Sequence, residues 1–200
     1  FNCDEFACDN GDCTVVCWDG SEACQGSTEC PEEPSCMAGD VNGDDLANVQ
    51  DIVLIVGYIL DPASDLDVGC ADMNGDGLAN VQDVVLIVGG ILDGRSTSDA
   101  TEARLDISNG VASLDANGFV GAVQMTLSHG AGFSIDLTDR AMVAEYRTDG
   151  NSTTIVIVAP ESDDLFTADG DFTVEDIIVA NVSGEATVTM PSELILSKAY

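Results

Sequence analysis

Basic side chains are nearly missing from this sequence: 5 Lys and Arg stand against 37 Asp and Glu, a formal net charge of −32 over 200 residues. A chain this acidic repels nucleic acid and anionic membranes, which excludes binding to a phosphate backbone as its main role. His129 is the only histidine and Lys198 the only lysine. Histidine acid–base chemistry, multi-histidine metal sites and Schiff-base lysines therefore lack their parts. Aromatic residues make up 5% of the chain, which leaves few platforms for stacking on sugars and speaks against a glycan-binding lectin. No apolar run reaches the roughly 18 residues of a membrane span. No pair of cysteines has the two-residue spacing of a zinc knuckle. What remains is a chain with 45% hydrophobic residues, enough for a packed core, whose carboxylates call for cations.

Eight cysteines are present: Cys3, Cys8, Cys13, Cys17, Cys24, Cys30, Cys36 and Cys70. Seven crowd into the first 36 residues, a stretch with too few aliphatic side chains for a core of its own, so cross-links have to substitute for one. All eight are expected in disulfides, which implies an oxidising compartment. Connectivity is open, apart from one geometric expectation: Cys36 and Cys70 each precede one of two repeated loops, and a bridge between them would tie the loops together. Residues 3–36 faintly resemble a low-density-lipoprotein-receptor class A module, but the cysteine count departs from that pattern. Phe1 is followed directly by polar residues and cysteine, as in a mature product whose leader has been removed, and the expected location is extracellular or at the cell surface.

The centre of the chain is duplicated. DVNGDDLANVQDIVLIVGYILD (residues 40–61) aligns without a gap with DMNGDGLANVQDVVLIVGGILD (residues 72–93). Each copy opens with the oxygen spacing of a twelve-residue calcium loop. The first offers Asp40, Asn42, Asp44, the Leu46 carbonyl, Asn48 and Asp51; the second offers Asp72, Asn74, Asp76, the Leu78 carbonyl, Asn80 and Asp83. Ligands at alternate residues of a tight turn converge on one point, and three carboxylates there repel one another unless a divalent cation joins them. Two calcium ions are expected, with binding coupled to folding. Magnesium fits less well because it demands a strict octahedron with retained water.

Residues 38–94 closely resemble a dockerin domain, the calcium-binding module that plugs into cohesin domains in cellulosome-type assemblies. The resemblance extends to an aspartate at position 12 of each loop. It implies that Val49, Gln50, Val81 and Gln82, at positions 10 and 11, help set partner choice, and it implies two binding poses related by a two-fold. Asp45 stands where position 6 usually has glycine, a departure expected either to strain that turn or to weaken the site. The runs Ile52–Leu60 and Val84–Leu92 hold no charged residue, and only the calcium-loop register marks them as helices rather than buried strands. A helix apolar all round has to be covered, either by the rest of its own chain or by another subunit.

From residue 97 onward the pattern changes to short alternating runs. Asn109-Gly110 between Leu105–Ile107 and Val111–Leu114 marks a hairpin. Further strands are predicted at Phe119–Leu127, Phe133–Leu137, Ala141–Tyr146, Thr154–Ala159, Phe172–Ala180, Ala186–Met190 and Leu194–Lys198. This spacing predicts an antiparallel β-sandwich. Residues 117–127 and the run DFTVEDIIVANVSGEATVT loosely resemble a cohesin-like sandwich, with an immunoglobulin-like one as the rival. Asn151 and Asn181 begin sequons and are candidate glycosylation positions. The tail from Pro191 resembles the linker ahead of a type IX secretion sorting domain, without its proline–asparagine–proline continuation.

The sequence thus predicts a multi-domain protein: a disulfide-rich module at residues 1–36, an α-helical double calcium-loop domain at 37–96 and a β-sandwich at 97–200. His129 lacks a nucleophile or a second histidine, so no catalytic residue is assigned and the chain is expected not to be an enzyme. The expected function is a secreted, non-catalytic calcium-binding assembly protein, a subunit of an extracellular filament or surface assembly built through head-to-tail contacts of dockerin-like and sandwich surfaces. The alternative is an anchoring module of a cellulosome-like polysaccharide-degrading system. The partner is accordingly a second copy or a cohesin-like domain, not nucleic acid.

Overall fold

The computed structural model describes residues 14–16, 22–24, 36–92 and 98–190. The chain divides into two compact units, Phe1–Ser35 and Cys36–Tyr200. Within the first, β1 (Thr14–Val16) and β2 (Glu22–Cys24) pair antiparallel, with Val15 opposite Ala23. The expected bridges of Cys3, Cys8, Cys13, Cys17 and Cys30, and the side chain of Cys24, lie outside the described residues.

The second unit begins with the helical segment. Helix α1 (Val49–Leu60) and helix α3 (Val81–Ile91) follow the two loops, and a short α2 (Val68–Ala71), absent from the sequence expectation, precedes the second loop. Valine and isoleucine are mediocre helix formers, so the start signals matter. Asn48 and Asn80 cap the helices by accepting from Gln50 N and Gln82 N, and Asp51 and Asp83 complete a capping box at each start. Pro62, just past Leu60, cannot continue α1. The expected bridge between Cys36 and Cys70 is present, with Cα atoms 5.8 Å apart.

Ten strands follow: β3 (Glu102–Ser108), β4 (Val111–Ala116), β5 (Ala122–His129), β6 (Ser134–Leu137), β7 (Val143–Asp149), β8 (Ser152–Val158), β9 (Asp164–Asp169), β10 (Phe172–Asn181), β11 (Gly184–Glu185) and β12 (Thr187–Thr189). They form two five-stranded sheets, β11-β10-β5-β8-β7 and β12-β3-β4-β9-β6. All described pairs are antiparallel except β12, which runs parallel to β3 at the edge. Asn109 and Gly110, both at positive φ, turn β3 into β4. The expected strand at Leu194–Lys198 lies outside the described residues. Strand β9 is an addition: its Leu165 and Phe166 sit between aspartates, which are depleted in strands, yet it holds the place between β4 and β6.

Between the sheets lies one core, with Leu105, Leu127, Ile155, Ile157, Leu165 and Phe172 buried in it. A second core lies outside the first sheet. There Ile52, Ile55, Val56, Val84, Val85 and Val88 of the helices pack on Ala122, Val143, Val156, Val158 and Ala180 of the strands. Strand β8 therefore alternates between two cores, Ile155 and Ile157 into one, Val156 and Val158 into the other. Its unbroken apolar run is that of a strand buried on both faces. The helices rest on the sandwich of their own chain, giving three layers: helix pair, sheet, sheet. Gly121 permits the close approach, because a Cβ there would meet Val85 Cγ1 at 2.8 Å and Ala180 O at 3.1 Å.

One ion pair fastens the layers at their rim. Arg147 on β7 meets Asp61, the residue that caps the end of α1. The hydrogen bond from Arg147 holds the Asp61 carboxyl below the usual carboxylate range. A lowered folded-state pKa means stabilisation that is present above the unfolded pKa and lost as pH falls through the folded one. Asp61→Asn should therefore lower the melting temperature at neutral pH, and the gap to wild type should close on acidification. A gap that stays constant down to about pH 3 would contradict the ion pair's contribution.

Candidate metal centres

Each loop is built by its own carboxylates folding the backbone around them. In the first, Asp40 Oδ1 accepts from Gly43 N at 2.8 Å and from Asp44 N at 3.1 Å, while Oδ2 accepts from Asp45 N at 2.8 Å. Asp51 reaches back from α1: Oδ1 accepts from Val41 N and Asn42 N, at 3.0 and 3.2 Å, and Oδ2 from Asn48 N at 2.9 Å. The second loop repeats the pattern. Asp72 accepts from Gly75, Asp76 and Gly77, and Asp83 from Met73, Asn74 and Asn80.

Carboxylate oxygens of Asp40, Asp44 and Asp51 lie within 4.8 Å of one another. Asp40 is 3% exposed, and Asp51 and Asp83 are completely buried. Burial pushes the Asp83 carboxyl up, against the lowering effect of its backbone donors. No lysine, arginine or histidine forms an ion pair with either loop among the described residues. An ionised carboxylate has about four acceptor positions; the backbone uses three on Asp40 and three on Asp51, which leaves capacity facing a cation. Buried like charges with no basic partner, held by hard oxygen donors, fit calcium. Asp40, Asn42, Asp44, the Leu46 carbonyl, Asn48 and Asp51 would hold one ion. Asp72, Asn74, Asp76, the Leu78 carbonyl, Asn80 and Asp83 would hold the other. Asn48 and Asn80 also serve as helix caps, so ligand position and helix start are the same residue.

Residues 38–92 match the family model of the dockerin type I domain. No curated protein matches the chain. Among solved structures, a non-cellulosomal cohesin from the hyperthermophilic archaeon Archaeoglobus fulgidus is similar over 48% of this chain and 86% of its own, with 16% identity and a TM-score of 0.30.

In the dockerin segment the four residues expected at a partner interface separate into two pairs. Val49 is exposed and Gln50 lies beside it on the open side of α1, continued by Val53, Leu54 and Gly57, which the sequence alone did not single out. Val53 stands four residues from Val49, Leu54 four from Gln50, and Gly57 a further three or four on, the helical spacing that could have found them. Val81, by contrast, is fully buried in its own chain, and Gln82 donates through Nε2 to Glu185 of the sandwich. The two pairs therefore stand in different surroundings while the helices rest on their sheet, Val81 buried and Gln82 half-buried.

The remaining candidates lie on the sandwich. Asn151 is exposed at the turn between β7 and β8. Asn181 is 3% exposed, with Nδ2 donating to Ala100 O at 2.8 Å, so the folded chain turns its amide away from solvent. His129 stacks on Phe133, ring centroids 4.1 Å apart, with Nε2 2.8 Å from Thr153 Oγ1. That is a packing arrangement at a sheet end.

Asp45 adopts φ +67°, a left-handed backbone, where the second loop has Gly77 at +85°. Such a conformation costs a residue with a Cβ roughly 1 kcal/mol. Asp45→Gly should raise the unfolding free energy by about that amount in urea titrations with calcium present. An unchanged or lower value would show that the turn is not strained.

Proposed function

We propose that this protein is a secreted, non-catalytic, calcium-binding assembly protein that joins a larger extracellular filament or surface structure through its dockerin segment. Two calcium ions hold the loops, the loops set the helix starts, and the exposed side of α1 meets a separate protein, a cohesin-like β-sandwich in the first instance. The observation that carries the reading is the pair of carboxylate loops with the same hydrogen-bond pattern, each opening a helix that is uncharged after its first-turn aspartate, of which one keeps an apolar side in solvent. The Cys36–Cys70 bridge supports an oxidising, extracellular setting. No helix among the described residues is long and apolar enough to cross a membrane.

The packing in this chain selects between two forms of assembly. Head-to-tail joining of identical chains, with the helices of one on the sheet of the next, would use a sheet face that the chain's own helices already cover. Attachment to a different protein leaves that packing intact and is the form proposed. It also suits an anchoring role in a polysaccharide-degrading system.

Size-exclusion chromatography of the full chain, with calcium and with a chelator, tests this. A compact monomer in calcium that expands or aggregates when the metal is removed is the expected result. Calcium-dependent polymers would show instead that the helix pair leaves its own sheet for a neighbour's, and a compact monomer under both conditions would contradict a role for the metal.

A further inference from the structure

The two repeats carry the same surface residues in opposite circumstances. Val49, Gln50, Val53, Leu54 and Gly57 of the first correspond to Val81, Gln82, Val85, Leu86 and Gly89 of the second. Val49 is 39% exposed and Val53 49%, whereas Val81 is 0% and Val85 1% exposed. Two of the second set, Gln82 and Gly89, meet the corner where β10 turns into β11. Val182 leans on Gly89, so closely that a Cβ on that glycine would collide with its side chain. Glu185 accepts from Gln82 Nε2, and Ala180 and Gly121 pass beneath Val85.

The first set keeps the same posture without the cover. A Cβ on Gly57 would meet nothing within 4 Å, so the notch that Val182 fills on α3 is open on α1. Gln50 is oriented as its counterpart is. Its Oε1 accepts from Asn42 Nδ2 at 3.5 Å, as Gln82 Oε1 accepts from Asn74 Nδ2 at 3.1 Å, which turns each Nε2 outward. Gln82 Nε2 has found a carboxylate; among the described residues Gln50 Nε2 has no acceptor.

We propose that α1 receives a β-hairpin corner of another protein, chemically like residues 180–185 of this chain: a small branched side chain seated in the Gly57 notch and a carboxylate accepting from Gln50 Nε2. A second copy of the chain is not that partner, because its own corner is engaged by its own α3. The second repeat thus displays, inside the molecule, the complement that the first repeat awaits. The proposal rests on the assembly reading above and specifies its partner.

The probe is a cyclised hairpin peptide with the sequence of Ile178–Thr187, titrated into isotope-labelled full chain in millimolar calcium. Saturable shifts of the Val49–Gly57 amides are expected. Val53→Asp and Gly57→Leu, both at exposed positions, should each weaken binding at least tenfold, and Glu185→Gln in the peptide several-fold. Calcium uptake by each variant confirms that it is folded. Silence at these amides from a chain that still binds calcium, shifts at α3 instead, or binding unchanged by both substitutions would overturn the proposal. Loss of calcium uptake in the wild type would instead bring down the assembly reading beneath it.

Discussion

Buried aspartate is the constraint on which the rest of this structure depends. Asp51 and Asp83 are removed from water at the starts of α1 and α3, Asp51 within 4.8 Å of the Asp40 and Asp44 carboxylates and Asp83 under the repulsion of Asp72, and no basic side chain among the described residues pairs with either. Backbone N–H groups from the loops lower the cost of that arrangement without cancelling it. A divalent cation would cancel it. Because the same aspartates close the capping boxes, the charge balance of the loops and the initiation of two weakly helical segments are one problem with one solution.

Once started, those helices are held by apolar burial against the sandwich. Leucine-poor, β-branched helices gain little from intrinsic propensity. They gain from covering a sheet whose outer face carries small and branched residues, Ala122, Val156, Val158 and Ala180. The sheet gains equally, since its outer face would otherwise present valine to solvent. Helix pair and sandwich therefore complete one another in this unit, with Arg147 and Asp61 pairing at the rim. That mutual cover is asymmetric. It covers the outward side of α3 and leaves the corresponding side of α1 exposed, so the two copies of a duplicated sequence end in different surroundings.

Much of this was legible in the residues. The loop register, the helices that follow it and the hairpin at Asn109-Gly110 all follow from local chemistry that no distant contact has to decide, and the repeat itself pointed to the Cys36–Cys70 bridge across 34 residues. The cover over the helices was less visible, although a strand reading TIVIVA with no polar alternation already announced two buried faces. Strand β9 was hidden because Asp164 and Asp169 frame only two large apolar residues, and its place is set by β4 and β6 beside it. The unequal fates of Val49 and Val81 could not be read from sequence at all. Their surroundings in the repeat are the same, and only the position of the sandwich against α3 separates them.

The central claim, that metal in the two loops organises the helix pair, is tested most directly by isothermal titration of calcium into the metal-stripped full chain, with helix content followed by circular dichroism. The account predicts uptake of two ions with a gain of helix in step with binding. Absence of uptake, or a helix signal already complete before calcium is added, would contradict it.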